Sequence, residues 1–171
     1  MKKKGLKFFA VFALVGLLPL TAHAQDEQPM TVDIKRLSME MALKAARATI
    51  DACRKEGVQV AVTVVDRGGH PQAVLRDVLA MDLTLTISRQ KAYTALSFNT
   101  ATSDLEGRFE GAYGVPKIDG LVVSAGGVPI TAAGTIYGGI GVSGAPSGEI
   151  DEKCARAGVE AITADLEMGS F

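Results

Sequence analysis

Histidine and cysteine are scarce in this chain, two of each among 171 residues, and Cys53 and Cys154 stand far apart. No C-x-x-C-H is present, which excludes covalent c-type attachment of a prosthetic group, and two isolated cysteines cannot build a structural zinc site. There is no P-loop and no G-x-S-x-G elbow, so neither phosphate cradling nor an elbow-borne serine nucleophile has its usual frame. Paired carboxylates for acid–base work cannot be picked out. Internal repeats and low-complexity segments are missing as well. The apolar run from Phe8 to Leu20 falls short of the roughly 20 residues that a membrane-spanning helix needs.

That run has a different meaning. Lys2, Lys3, Lys4 and Lys7 precede it, and Ala22-His23-Ala24 closes it. Basic, apolar and small-residue regions in that order predict a secretory signal peptide over 1–24, cleaved before Gln25, and a periplasmic or secreted product. A short polar arm over 25–37 then leads into one domain over 38–171. Cleavage removes four lysines from a chain with 18 basic and 19 acidic residues. The acidic remainder offers no basic face for nucleic acid, no polybasic patch for anionic lipid and no membrane span. His23 leaves with the signal, so any histidine chemistry falls to His70. Export to an oxidising compartment allows the two cysteines to pair; the alternative is two small buried hydrophobes.

Periodicity organises the rest. Ser38 reads as the N-cap of a helix reaching Glu56 and ended by Gly57, with Leu43, Ala46, Ile50 and Cys53 on one stripe. Val58, Val60, Val62 and Val64 alternate with Gln59, Ala61 and Thr63 as a strand. Asp66-Arg67-Gly68-Gly69-His70-Pro71 is turn chemistry, and Gln72 to Arg76 returns as a second strand. A helix over Met81 to Asn99 carries the small residues Ser88, Ala92 and Ala95 on one face. Ser103 is expected to cap a short helix from Leu105 to Gly111, and Asp119 to Ser124 to form a third strand. Val128, Ile130 and Ala132, then Ile136, Ile140 and Val142, flank Ala133-Gly134 as a hairpin. A terminal helix from about Glu149 sets Ile150, Cys154, Ala157, Ala161 and Ala164 on one face. The sum is an α+β fold: an antiparallel five-stranded sheet with helices on both faces.

The second hairpin strand contains a formal G-x-G-x-x-G, Gly139-x-Gly141-x-x-Gly144. In a dinucleotide fold that fingerprint needs a following helix and second parallel strand, and the βαβ unit takes about 30 residues or more. Too little chain follows Gly144 for both. These glycines are expected to serve close helix–sheet packing, with a ligand platform as the alternative.

Leu37-Ser38-x-Glu40-x-Ala42, the Val64-Val65-Asp66-x-x-Gly69-His70 turn, Lys91-Ala92-Tyr93-Thr94-Ala95, Gly126-Gly127-Val128-Pro129-Ile130, Gly134 and Gly138-x-Ile140-Gly141-Val142-Ser143-Gly144 with Asp151 occur in one order along the chain. Together they resemble the GlcG/HbpS family, including the C-terminal domain of PduO-type cobalamin adenosyltransferases. The resemblance implies a profilin-like α+β domain of the haem-binding or haem-degrading type, often a homo-oligomer. It also implies that the first and last helices lie side by side, which would bring Cys53 towards Cys154 for a disulfide. One departure stands out: the family commonly reads Arg-Met-Asp after the second strand, whereas this chain reads Arg76-Asp77-Val78.

With that family in view, His70 is a candidate axial ligand of haem iron, and an exposed turn histidine is the alternative. Tyr93, Tyr113 and Met81 are weaker axial candidates. Arg76 and Lys91 suit the propionates of haem or the carboxylate of a small acid. The first turn of the last helix could hold an anion, but Glu149 and Asp151 already supply its counter-charge. The expected function is non-covalent binding of haem or a similar tetrapyrrole after export. Its rivals are a haem-free small-carboxylate or sensory module working with a membrane partner, and a haem-dependent enzyme that degrades the tetrapyrrole or consumes peroxide.

Overall fold

The computed structural model describes residues 29–169, so the expected signal peptide lies outside the described residues. The chain divides into two units, Met1–Val32 and Asp33–Phe171. Residues 29–32 of the first are exposed and belong to no helix or strand. Among the described residues, every regular element belongs to the second.

The first helix, α1 (Met39–Lys55), begins where Ser38 accepts a hydrogen bond from the Met41 N–H at 3.2 Å, which satisfies one of the free amides of its first turn. It ends where Gly57 takes φ +77 and the Val58 N–H returns to the Cys53 carbonyl at 3.1 Å. That closure uses the Val58 amide, so the strand expected from Val58 starts later, as β1 (Ala61–Asp66). The buried face of α1 is Ala42, Ala45, Ala46, Thr49, Ile50 and Cys53. Leu43, expected on that stripe, is exposed. Alanines take its place because α1 crosses another helix closely: a Cβ on Gly158 would lie 2.7 Å from the Ala45 carbonyl oxygen.

β1 pairs antiparallel with β2 (Pro71–Arg76) on one side and with β4 (Thr135–Ser143) on the other, and β4 pairs with β3 (Gly127–Ala132). The order β2-β1-β4-β3 makes one four-stranded sheet. The β3–β4 turn sits at Ala133 and Gly134 with φ +46 and +75, the twist that a two-residue hairpin loop requires. The fifth strand expected over Asp119 to Ser124 is absent. The Val122 N–H donates to Thr94 Oγ1 at 3.0 Å and the Ala125 N–H to a Glu106 carboxylate oxygen at 2.6 Å. Amides spent on side chains cannot form a ladder.

Helices cover both faces. Val62, Val64, Ile140 and Val142 pack with α1 and with α3 (Gly148–Met168), while Val65 packs with Ala92 and Leu96 of α2 (Leu83–Phe98) on the other side. Asn99 ends α2 at φ +48. The short helix expected after Ser103 is instead a 3-10 turn, Thr102–Leu105. Ser103 does not cap it; its N–H and hydroxyl both donate to Glu152. In α3 the inward face is Asp151, Cys154, Ala155, Gly158, Ile162 and Leu166, so Ala161 and Ala164 face outward, contrary to expectation. The glycines of the hairpin are packing residues: a Cβ on Gly127, Gly139 or Gly141 would collide with the backbone of Lys91, Ala92 or Ser88 in α2. Cys53 and Cys154 are joined across α1 and α3, with their Cα atoms 5.4 Å apart.

Candidate functional site

The site begins at the end of the central strand. The Asp66 carboxylate is buried, and its Oδ1 accepts the Gly68 N–H at 2.8 Å and the His70 N–H at 3.0 Å. The backbone closes the same turn, with Asp66 N–H to His70 carbonyl at 2.8 Å and Gly69 N–H to Asp66 carbonyl at 2.9 Å. Gly69 is required twice over. Its φ is +83, and a Cβ there would lie 2.8 Å from the Tyr93 ring. Arg36, from the segment before α1, reaches Asp66 Oδ2 at 3.4 Å. Burial alone would raise the Asp66 carboxyl, but the N–H groups of His70 and Gly68, followed by Arg36, outweigh it and hold the group below the ordinary carboxylate range.

This turn forms one wall of an open cleft of about 810 Å³; the outer face of α2 forms another, and Asp119 and Gly120 lie at its edge. Its lining includes His70, Val74, Leu85, Arg89 and Tyr93, an imidazole and a guanidinium set among apolar and aromatic surface. The His70 side chain is 79% exposed, with Nδ1 3.5 Å from Asp66 Oδ1.

Of the residues singled out in the sequence, His70 and Tyr93 meet here and the others do not. Arg76 donates to the Ala80 carbonyl and pairs with Asp82 at 3.2 Å. Lys91 is buried against Asp151 at 3.0 Å, each side chain 5% exposed, and Asp151 also accepts the Ala145 N–H. Tyr113 is exposed beneath the Lys117 ammonium, 3.9 Å from the ring centre, and Met81 is exposed ahead of α2. Asp77, the displaced acid of the Arg-Met-Asp pattern, is buried in an ion pair with Arg54 of α1, so it ties the hairpin to that helix. Among the described residues, no three His, Cys, Asp or Glu side chains are grouped to hold a metal ion.

Arg89 was missed in the sequence, and a signal for it existed. Ser88, Ala92 and Ala95 mark the sheet-facing side of α2; Leu85, Arg89 and Tyr93 recur at helical spacing along the exposed flank beside it.

The family model described as "Haem degrading protein HbpS-like" matches residues 37–160. The chain belongs to this HbpS-like family. The crystal structure of HbpS is 42% identical, covers 78% of this chain and 94% of its own, and superposes with a TM-score of 0.74. A double glutamate-to-aspartate variant of Streptomyces reticuli HbpS is 39% identical, with 86% and 98% covered and a TM-score of 0.74. The PduOC:haem complex is 30% identical, with 74% and 95% covered and a TM-score of 0.69. The corrinoid adenosyltransferase PduO of Salmonella typhimurium is 29% identical over 145 residues, which are 82% of this chain and 41% of that enzyme. The chain thus spans about two fifths of the length of that curated relative.

Proposed function

We propose that this chain is an exported protein that binds haem non-covalently in the cleft between the Asp66–Pro71 turn and α2. The observation that carries the reading is the convergence of His70, Arg89 and apolar walls on one cleft of about 810 Å³. Small-molecule and cofactor sites usually measure about 300–1,000 Å³ and combine apolar lining with a few placed polar groups. HbpS-like family membership and the haem complex of a 30% identical relative support the same ligand. The basic, apolar and small-residue order over residues 1–24 and the Cys53–Cys154 pair support export.

The residues present suit the group. His70 would hold the haem iron through a ring nitrogen. Arg89 has no side-chain partner among the described residues and is free to pair with a propionate. Val74, Leu85 and the Tyr93 ring give the macrocycle apolar surface. Bound haem would supply redox and oxygen chemistry to the site. Arg76 and Lys91 hold partners elsewhere, so Arg89 takes the propionate role in this reading.

Haem titration followed by absorbance tests it. A saturable Soret band is expected, with its position altered in His70→Ala. Arg89→Ala should weaken binding by about tenfold, the ~1.4 kcal/mol of one charge-assisted hydrogen bond. No saturable uptake would overturn the proposal. The haem-degrading description of the family adds a second outcome: decay of the band under reductant and oxygen would make the protein an enzyme.

A further inference from the structure

We infer that Asp66 is the positioning residue for His70: its carboxylate draws the Nδ1 edge of the imidazole inward, so that Nε2 is the nitrogen offered to the cleft. The inference rests on the haem-binding reading above and names what prepares that ligand.

Three features of the turn converge on it. The carboxylate cannot swing away, because Oδ1 accepts the Gly68 and His70 N–H groups at 2.8 and 3.0 Å and Oδ2 faces Arg36 at 3.4 Å. The imidazole then approaches the fixed oxygen with its Nδ1, at 3.5 Å. Finally, that approach runs over position 68. A Cβ on Gly68 would lie 3.0 Å from His70 Nδ1 and 3.3 Å from Asp66 Oδ1, so a glycine leaves the space in which the two meet. The φ of Gly68 is not positive, so the backbone of that residue does not demand glycine and the packing of the ring does.

A neutral imidazole has one N–H and one lone pair, and its surroundings select which nitrogen carries which. A carboxylate beside Nδ1 favours the proton there and leaves the lone pair on Nε2. It also makes Nε2 a stronger donor, as the outer partners of metal-bound histidines do. A stronger donor favours ferric over ferrous iron. Turn formation by itself would need only the two N–H bonds; the orientation of the ring goes beyond it.

The test compares Asp66→Asn, Gly68→Ala and His70→Ala in the full chain loaded with ferric haem. Asp66→Asn retains an amide oxygen for the Gly68 and His70 N–H groups and removes the charge. Its apo-protein melting temperature and haem stoichiometry should stay near those of the parent. Its Soret band should shift, and its preference for ferric over ferrous haem should fall about tenfold, a rise of ~59 mV in midpoint potential for one electron. Gly68→Ala leaves every charge in place and pushes the ring off the carboxylate, so it should move spectrum and potential in the same direction. If His70→Ala changes the spectrum while the other two variants match the parent in spectrum and potential, Asp66 only caps the turn and the inference fails with the haem reading intact. A silent His70→Ala overturns the axial assignment and this inference together. Should Asp66→Asn not fold, an unchanged spectrum in Gly68→Ala still overturns it.

Discussion

Lys91 carries its charge into the interior, and what it does there is set by one carboxylate. The Asp151 pair is 3.0 Å long and almost wholly removed from water. Gly126, at φ +124, makes room for it; a Cβ there would lie 2.7 Å from Lys91 Nζ and 2.9 Å from Asp151 Cβ. Breaking a buried pair from one side strands the other charge, at a cost of about 3–5 kcal/mol. Lys91→Met should therefore lose about that much stability in urea unfolding. Adding Asp151→Asn should restore most of it, since the amide oxygen can still accept the Ala145 N–H. A Lys91→Met protein of parental stability with weakened haem binding would instead return the amine to a ligand role. In the sequence, Lys91 was open between a pocket-facing amine and a solvated helix face. The structure gives neither, because the deciding partner lies 60 positions away, where no local pattern reaches. The place of His70 in a turn was legible through the turn chemistry around it; Arg89, which lines the same cleft, was hidden among the ordinary charges of an exposed helix face.

At the scale of elements, local chemistry was legible and long-range accommodation was not. Ser38 and Gly57 bracket α1 because capping is a contact between near neighbours, and Ala133-Gly134 turns the hairpin for the same reason. The strand expected over Asp119 to Ser124 failed because Thr94, distant in sequence, takes the Val122 amide within that segment and Glu106 takes the Ala125 amide just after it. Ala161 and Ala164 were placed inward because alanine fits either face of a helix and carries little pattern. The reading that proved firm was close packing of glycines against a small-residue helix face. It can be tested at Gly141, whose φ is not positive, so the cost of a side chain is steric alone. A Cβ would strike the Ser88 carbonyl and the Ala92 backbone, which belong to a helix that cannot yield locally. Gly141→Ala should cost at least the ~1–3 kcal/mol typical of overpacking, read as a lowered urea midpoint. A parental midpoint would show that α2 sits further from β4.

For the whole molecule, the α+β class was legible because alternation and helical stripes report which faces are buried. The side-by-side placement of the first and last helices came from the family resemblance. Those helices carry the one covalent feature that links fold to compartment. The Cys53 and Cys154 Cα atoms, 5.4 Å apart, lie within the ~4.4–6.8 Å that a disulfide spans. Both side chains are fully buried, between helices that cover the same sheet face. The link closes a sequence separation of 101, for which the chain-entropy model assigns about 4.7 kcal/mol of stabilisation. Cytosolic thiols are kept reduced, so an intact bridge depends on export. Expression of the full chain in a bacterium, with recovery from the periplasm, should give an intact mass lacking residues 1–24 and lighter by two hydrogens than the dithiol. Denatured, non-reduced protein should show no free thiol. The double variant Cys53→Ala/Cys154→Ala should lose about 2–5 kcal/mol in urea unfolding. Two free thiols in periplasmic protein would remove the bridge. A main species that retains Met1 to Ala24 would make the N-terminus an anchor rather than a cleaved signal.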